Sequence, residues 1–247
     1  KTPIVTFGLI TENINRMVNV YRPFYYRKTG VKMTKPRFTL EGDRLTLLPN
    51  PIQHARDIPK LSDPGFVASL GANDWWYNRD NEPIFKFPYS KILLNRRMWL
   101  EARLGKDDRE ISDLDPRPWE DLWEDTHAPD ILFGIIDAFV KEATDFGALP
   151  IVVIISKDYQ VEDRVKNGEH MEEVQRIIEH CESKGYRYFD TAAALAKEIR
   201  FSIDARNYFR NHMNRKGNRV IGRAFAEYLR EPMKEAGVES GDVSRVE

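Results

Sequence analysis

A histidine standing just ahead of a helix is the residue of this chain best suited to do chemistry. In Asn211-His212-Met213-Asn214-Arg215-Lys216-Gly217-Asn218-Arg219-Val220-Ile221-Gly222, the imidazole precedes a Gly-Asn turn that opens an amphipathic C-terminal helix. Its ordinary pKa lies near neutrality, so a loop histidine at that position can act as a general base toward a hydroxyl nucleophile. The alternative is a surface or capping histidine, and spacing alone does not separate the two. Nothing in the chain looks like an activated nucleophile for such a base.

Other reactive side chains offer less. His54, His127, His170 and His180 are not spaced with carboxylates or with each other as metal ligands are, although His170 and Glu173 lie one turn apart on what reads as a solvated helix face. The single cysteine, Cys181, excludes an intrachain disulfide and a multi-cysteine metal site, and it reads as a buried small hydrophobe. Trp75-Trp76-Tyr77 could present a flat platform to a sugar or acyl group, or cap a core beneath an irregular loop. No Gly-rich phosphate loop or dinucleotide fingerprint is present, and no metal or organic cofactor is implied.

The elements that must position these residues follow from periodicity. Ile4 to Phe7, closed by Gly8, reads as a buried strand. Ile14, Met17, Val18, Tyr21 and Tyr25 have helical spacing over Asn13 to Tyr26, with Pro23 kinking or ending the helix. Arg37–Leu40 and Leu45–Leu48 flank Glu41-Gly42-Asp43-Arg44 as a hairpin. Residues 49–90 are rich in Pro, Asp and aromatics and predict an irregular segment with one or two short helices. A helix is predicted over Tyr89 to Leu104, and an acidic surface loop over Lys106 to Asp125.

The second half is more regular. Pro129 opens a helix with Leu132, Ile135, Ile136, Phe139 and Val140 on one face. Leu149 to Ser156 is nearly all apolar, the pattern of a strand covered on both faces of a parallel sheet. Met171 to Cys181 forms a helix capped by Gly185. Tyr186 to Phe189 is a strand ending at Asp190, Ala192 to Ile199 is a helix, and the last helix buries Val220, Ala224 and Tyr228 with Ile221, Phe225 and Leu229. This alternation predicts a three-layer α/β/α fold with a mostly parallel sheet, the flavodoxin-like arrangement. Ligands of such sheets bind at the carboxyl ends of the strands. We expect one α/β domain over 1–232, with 31–90 as an insertion carrying the hairpin and the aromatic loop, and a tail over 233–247.

Composition narrows the partners. The 247 residues are 41% hydrophobic, enough for a sizeable core, and 38 Lys and Arg against 39 Asp and Glu give a net charge of -1. There is no whole-chain pull toward nucleic acid or an anionic membrane, so a small-molecule partner is the default. No run of about 18 apolar residues spans a bilayer, and no signal region opens the chain. Lys1-Thr2-Pro3 runs straight into an apolar strand, so a processed or truncated product is expected. Ser240-Gly241-Asp242 has no strand before it and reads as tail.

Three segments carry a family likeness. His212-Met213-Asn214, then Gly217-Asn218 and the helix through Ala224 and Ala226 to Leu229, resembles the last conserved block of the SGNH/GDSL hydrolase superfamily. Tyr188-Phe189-Asp190 with Thr191 to Leu195 is similar to the segment before that block. Gly8 to Arg16, followed by Asn19, Tyr21-Arg22 and Lys35-Pro36-Arg37-Phe38, is similar to the middle of such hydrolases. The resemblance covers this chain and about the last two-thirds of a family member.

It implies a serine ester hydrolase or acyl transferase acting on a small-molecule or acylated carbohydrate substrate. His212 would deprotonate the serine and Asn13 would donate to the oxyanion. Trp75, Trp76 and Arg16 are the residues expected to contact substrate. The family's orienting aspartate, three residues before the histidine, is Phe209 here, and Asp204 is the possible substitute. Gly71-Ala72-Asn73-Asp74 spells the family's G-x-N-D block, but the Gly-Asp-Ser nucleophile block is absent, and the preferred reading puts that serine in a separate N-terminal segment. The competing class is a non-catalytic α/β binding or structural module. The hydrolase reading requires His212 and the exit of the first strand to overhang the same edge of the sheet.

Overall fold

The computed structural model describes residues 3–42, 44–81, 119–124, 127–235 and 237. The predicted helix over 89–104, most of the acidic loop and the Ser240 run lie outside them. Among the described residues the strands are β1 (Ile4–Leu9), β2 (Arg37–Glu41), β3 (Arg44–Leu48), β4 (Leu149–Ile154), β5 (Tyr188–Asp190), β6 (Phe209–Arg210) and β7 (His212–Met213). The helices are α1 (Ile14–Met17), α2 (Pro64–Leu70), α3 (Trp75–Asn81), α4 (Asp121–Glu124), α5 (His127–Asp145), α6 (Asp158–Asn167), α7 (Glu172–Lys184), α8 (Thr191–Ala196), α9 (Arg215–Tyr228) and α10 (Arg230–Glu235). The chain divides into two units, Lys1–Asn13 with Leu132–Glu247, and Ile14–Ile131. The segment 31–90 falls inside the second.

In the first unit, β1, β4 and β5 form a parallel sheet in that order, with Ile4 opposite Leu149, Leu9 opposite Ile154, and Val153 opposite Phe189. The apolar run at 149–154 is therefore the central strand, paired on both sides, as its lack of alternation predicts. One face of the sheet carries Ile4, Ile151, Val153 and Phe189, which pack against Ile221, Ala224, Phe225 and Tyr228 of α9. On the other face, Phe7 of β1 meets Phe139 of α5 with ring centroids 5.3 Å apart. Beside α5 lies α7, whose His180 stacks on Phe133 at 4.5 Å and bonds Asp137 at 2.7 Å. Helices on both faces make this unit the three-layer α/β/α fold expected from the sequence.

The polarity of α9 matters for the site. Val220 packs with Ala192 and Leu195 of α8, beyond the end of β5. Two turns later Tyr228 meets Phe189 within β5, at 5.3 Å, and Glu235 of α10 pairs with Arg187, ahead of β5. The helix thus runs antiparallel to the strands and starts at their carboxyl end.

The second unit is organised by one buried carboxylate. Asp74 is fully buried and accepts hydrogen bonds from the Asn19 amide at 2.7 Å and the Val20 N–H at 2.6 Å with one oxygen. Its other oxygen caps α3 by accepting from the N–H groups of Trp76 and Tyr77 at 3.0 and 3.2 Å. Burial pushes its pKa above the ordinary carboxylate value against these bonds. The Arg37 guanidinium of β2 bonds the carbonyls of Val18 and Asn73, and the β2–β3 hairpin has the expected antiparallel pairing, Leu40 opposite Leu45.

Asp74 also explains a departure from the sequence reading. The single helix over 13–26 is interrupted after Met17, because the N–H groups of Val20 and Tyr21 turn to Asp74 rather than to carbonyls four residues back. The chain there is extended, with the Arg22 N–H bonded to the Met33 carbonyl and the Lys35 N–H to that of Val20. Smaller shifts are that β4 stops at Ile154, α5 starts at His127, α8 covers Thr191–Ala196, and α6 is a helix the periodicity did not expose. No helix among the described residues is long and apolar enough to cross a membrane.

Candidate functional site

The carboxyl ends of the three parallel strands converge on a polar network. After β1, the Thr11 hydroxyl is 1% exposed and accepts from the Gln160 amide at 2.9 Å. Glu12 pairs with Lys157, whose own N–H donates to the Gln160 carbonyl oxygen at 2.9 Å. After β4, the Ser156 N–H donates to the Thr191 hydroxyl at 2.9 Å, while the Ser156 Oγ is buried without a hydrogen-bond partner. At the end of β5, Asp190 caps α8, its oxygens accepting from the N–H groups of Ala192 and Ala193 at 2.8 and 3.1 Å.

The histidine in this network is His170, whose Nε2 lies 3.2 Å from Asp190 Oδ2. Burial lowers the His170 pKa, with Asp190 pulling the other way, and burial raises that of Asp190. Both directions favour the uncharged forms. Glu173 accepts from the Gln160 amide at 2.9 Å. The pair read from sequence as a solvated helix face is therefore half-buried and bonded to the strand ends. No local signal in the sequence joins His170 to Asp190.

His212 is placed differently. It ends a two-strand hairpin, β6–β7, whose turn residue Asn211 has a left-handed φ of 66°, a conformation Asn tolerates better than most side chains. Phe209 and Met213 pack into the cluster of Val161, Leu195, Tyr208 and Val220, leaving the imidazole exposed. The motif following it holds the hairpin to α9. Asn214 caps the helix by accepting from Lys216 and Gly217 N–H at 2.8 and 3.1 Å, and its amide donates to the Asn207 carbonyl at 2.9 Å. A Cβ on Gly217 would sit 2.6 Å from the Tyr208 carbonyl oxygen and 2.5 Å from Met213 Cγ, so only glycine fits.

The remaining sequence-derived candidates divide between the units. Asn13 closes the turn after β1, its N–H bonded to the Ile10 carbonyl at 2.8 Å, and no hydrogen bond to a described residue fixes its side chain. Asp204 lies in a 3₁₀ turn over Ser202–Tyr208 and is contacted by the Asn207 amide at 3.4 Å; no bond joins it to His212. Arg16, Trp75 and Trp76 belong to the second unit. Arg16 is exposed, Trp76 is 1% exposed and part of the core, and Arg79 lies over both indoles at 5.2 and 5.5 Å. Gly71-Ala72-Asn73 forms a 3₁₀ turn into the Asp74 cap, and a Cβ on Gly71 would fall 1.9 Å from the Tyr77 ring. Cys181 is buried, which pushes its thiol pKa up to about 12.

The arrangement supplies an exposed imidazole on a hairpin pinned to the start of α9; among the described residues no hydrogen bond joins it to Asn13. Compared with protein-family models, with characterised proteins and with solved structures, the chain matches none.

Proposed function

We propose that this chain carries the base of an SGNH-type serine ester hydrolase or acyl transferase. The observation that supports it is the exposed His212 on the β6–β7 hairpin, held by Asn214 and Gly217 at the carboxyl end of a parallel sheet. In this reading the Oγ of a serine attacks the acyl carbon while His212 takes its proton, then returns that proton to the leaving alcohol. The Asn13 amide and backbone N–H groups donate to the oxyanion. The serine is assigned to a segment preceding Lys1, after the family's order of blocks, and the substrate is a small-molecule or acylated carbohydrate ester.

One observation favours a binding module instead: no carboxylate among the described residues is bonded to His212, and Asp204 is bonded elsewhere. The two readings separate on ester cleavage by the intact protein. The hydrolase reading expects turnover that collapses in His212→Ala, whereas turnover surviving that substitution, or none in the native protein, refutes it.

A further inference from the structure

The exposed side of α9 carries a row of cations without counterions. Arg215, Arg219 and Arg223 recur at four-residue intervals and so lie along one stripe of the helix. Among the described residues no carboxylate is within ion-pair distance of any of the three, whereas Arg206 pairs with Glu162 and Arg187 with Glu235. Like charges at this spacing repel. Cations near a helix N-terminus also oppose its dipole, and the first turn of α9 holds no acidic residue. Taken alone, this row costs the helix stability.

The row lines an open recess. A recess of about 530 Å³ is bounded by Arg215, Lys216, Arg219 and Arg223, with Glu198 and Tyr208, giving its wall a net charge of +3 in a chain of net charge -1. Lys216 is held 4.0 Å above the ring of the buried Tyr208, which fixes its ammonium at the wall. Arg223, Glu198 and Val220 also line a neighbouring cavity of about 590 Å³, whose wall mixes Phe189, Ala194, Ala224 and Tyr228 with Asp190, Lys197 and Glu227. A cationic recess thus shares part of its wall with a cavity of mixed lining that holds two aromatic rings.

We propose that these neighbouring cavities bind a phosphate-bearing molecule with an aromatic body. The phosphate sits among Arg215, Arg219 and Arg223, whose guanidinium forks match its oxygens. The apolar part lies against Phe189 and Tyr228. Neither His212 nor Asn13 takes part, so this site stands or falls separately from the ester chemistry.

The test is calorimetric titration of the full chain with inorganic phosphate, with phenyl phosphate, and with phosphatidylcholine vesicles containing phosphatidic acid. Phenyl phosphate should bind saturably and more tightly than inorganic phosphate. Arg219→Gln and Arg223→Gln should each weaken it by about tenfold or more, with thermal unfolding unchanged or raised because repulsion is relieved. Vesicle binding lost in the same variants identifies a lipid headgroup as the source, and its absence beside phenyl phosphate binding identifies a free phosphate ester. Saturable binding untouched by both substitutions, or no binding of any probe, overturns the site.

Discussion

His170 and His212 belong to the same end of the same sheet and are opposites in environment. The first is half-buried and bonded to Asp190, with burial lowering its pKa, and its neighbours Gln160, Thr191 and Glu173 are bonded to one another or to the strand ends. The second is exposed on a hairpin, with its frame satisfied and its ring left open. A polar group whose partners are all internal stabilises the fold. One that the fold holds in place without a partner is available to something else, and the unpaired arginines of α9 are open in the same sense.

Changing the two histidines gives the largest expected effect. In the intact protein, His212→Ala should lower ester turnover by about a hundredfold to ten-thousandfold, with the melting temperature unchanged. His170→Asn should lower the melting temperature and leave turnover per folded molecule within a few-fold. The reverse pattern would exchange the roles assigned to them.

The hairpin's support can be broken next. Gly217→Ala should destabilise by about 1–3 kcal/mol through overpacking against the Tyr208 carbonyl. Gly222→Ala, five residues along the same helix, meets nothing within 4 Å and should stabilise by roughly 0.5–1 kcal/mol. Chemical denaturation of the two variants reads the difference directly.

A smaller effect comes from acid. The unfolded chain takes up a proton at His170 near the ordinary imidazole value of 6.5, while the folded chain resists until lower pH. Stability from this group is present above 6.5 and is lost as pH falls through the depressed folded value. The melting temperature should therefore drop between pH 7 and 5, and the drop should shrink in His170→Asn. Asp204→Asn should do least, changing stability by no more than about 0.5 kcal/mol and leaving turnover unaltered if Asp204 does not orient His212.

What the sequence made legible was local. The apolar run of β4, the Gly185 cap, the hairpin and the stripe of α9 each follow from periodicity or turn chemistry within a few residues. What it hid depended on contacts far along the chain. Asp74 breaks the first helix from 53 and 54 residues away, and Asp190 meets His170 across a helix. The cations of α9 are local, at four-residue spacing, but the recess they line needs the fold to bring Glu198 and Tyr208 beside the helix. Of the candidate site, His212 and Asn13 were legible as residue types, whereas the network tying the ends of β1, β4 and β5 together was not.

The most direct measurement is a crystal structure of the intact protein after reaction with a fluorophosphonate. The account predicts one phosphonylated serine whose Oγ lies about 3 Å from the His212 imidazole, with the phosphoryl oxygen directed at Asn13. An adduct beside His170, or a protein that takes up no phosphonate, would contradict it.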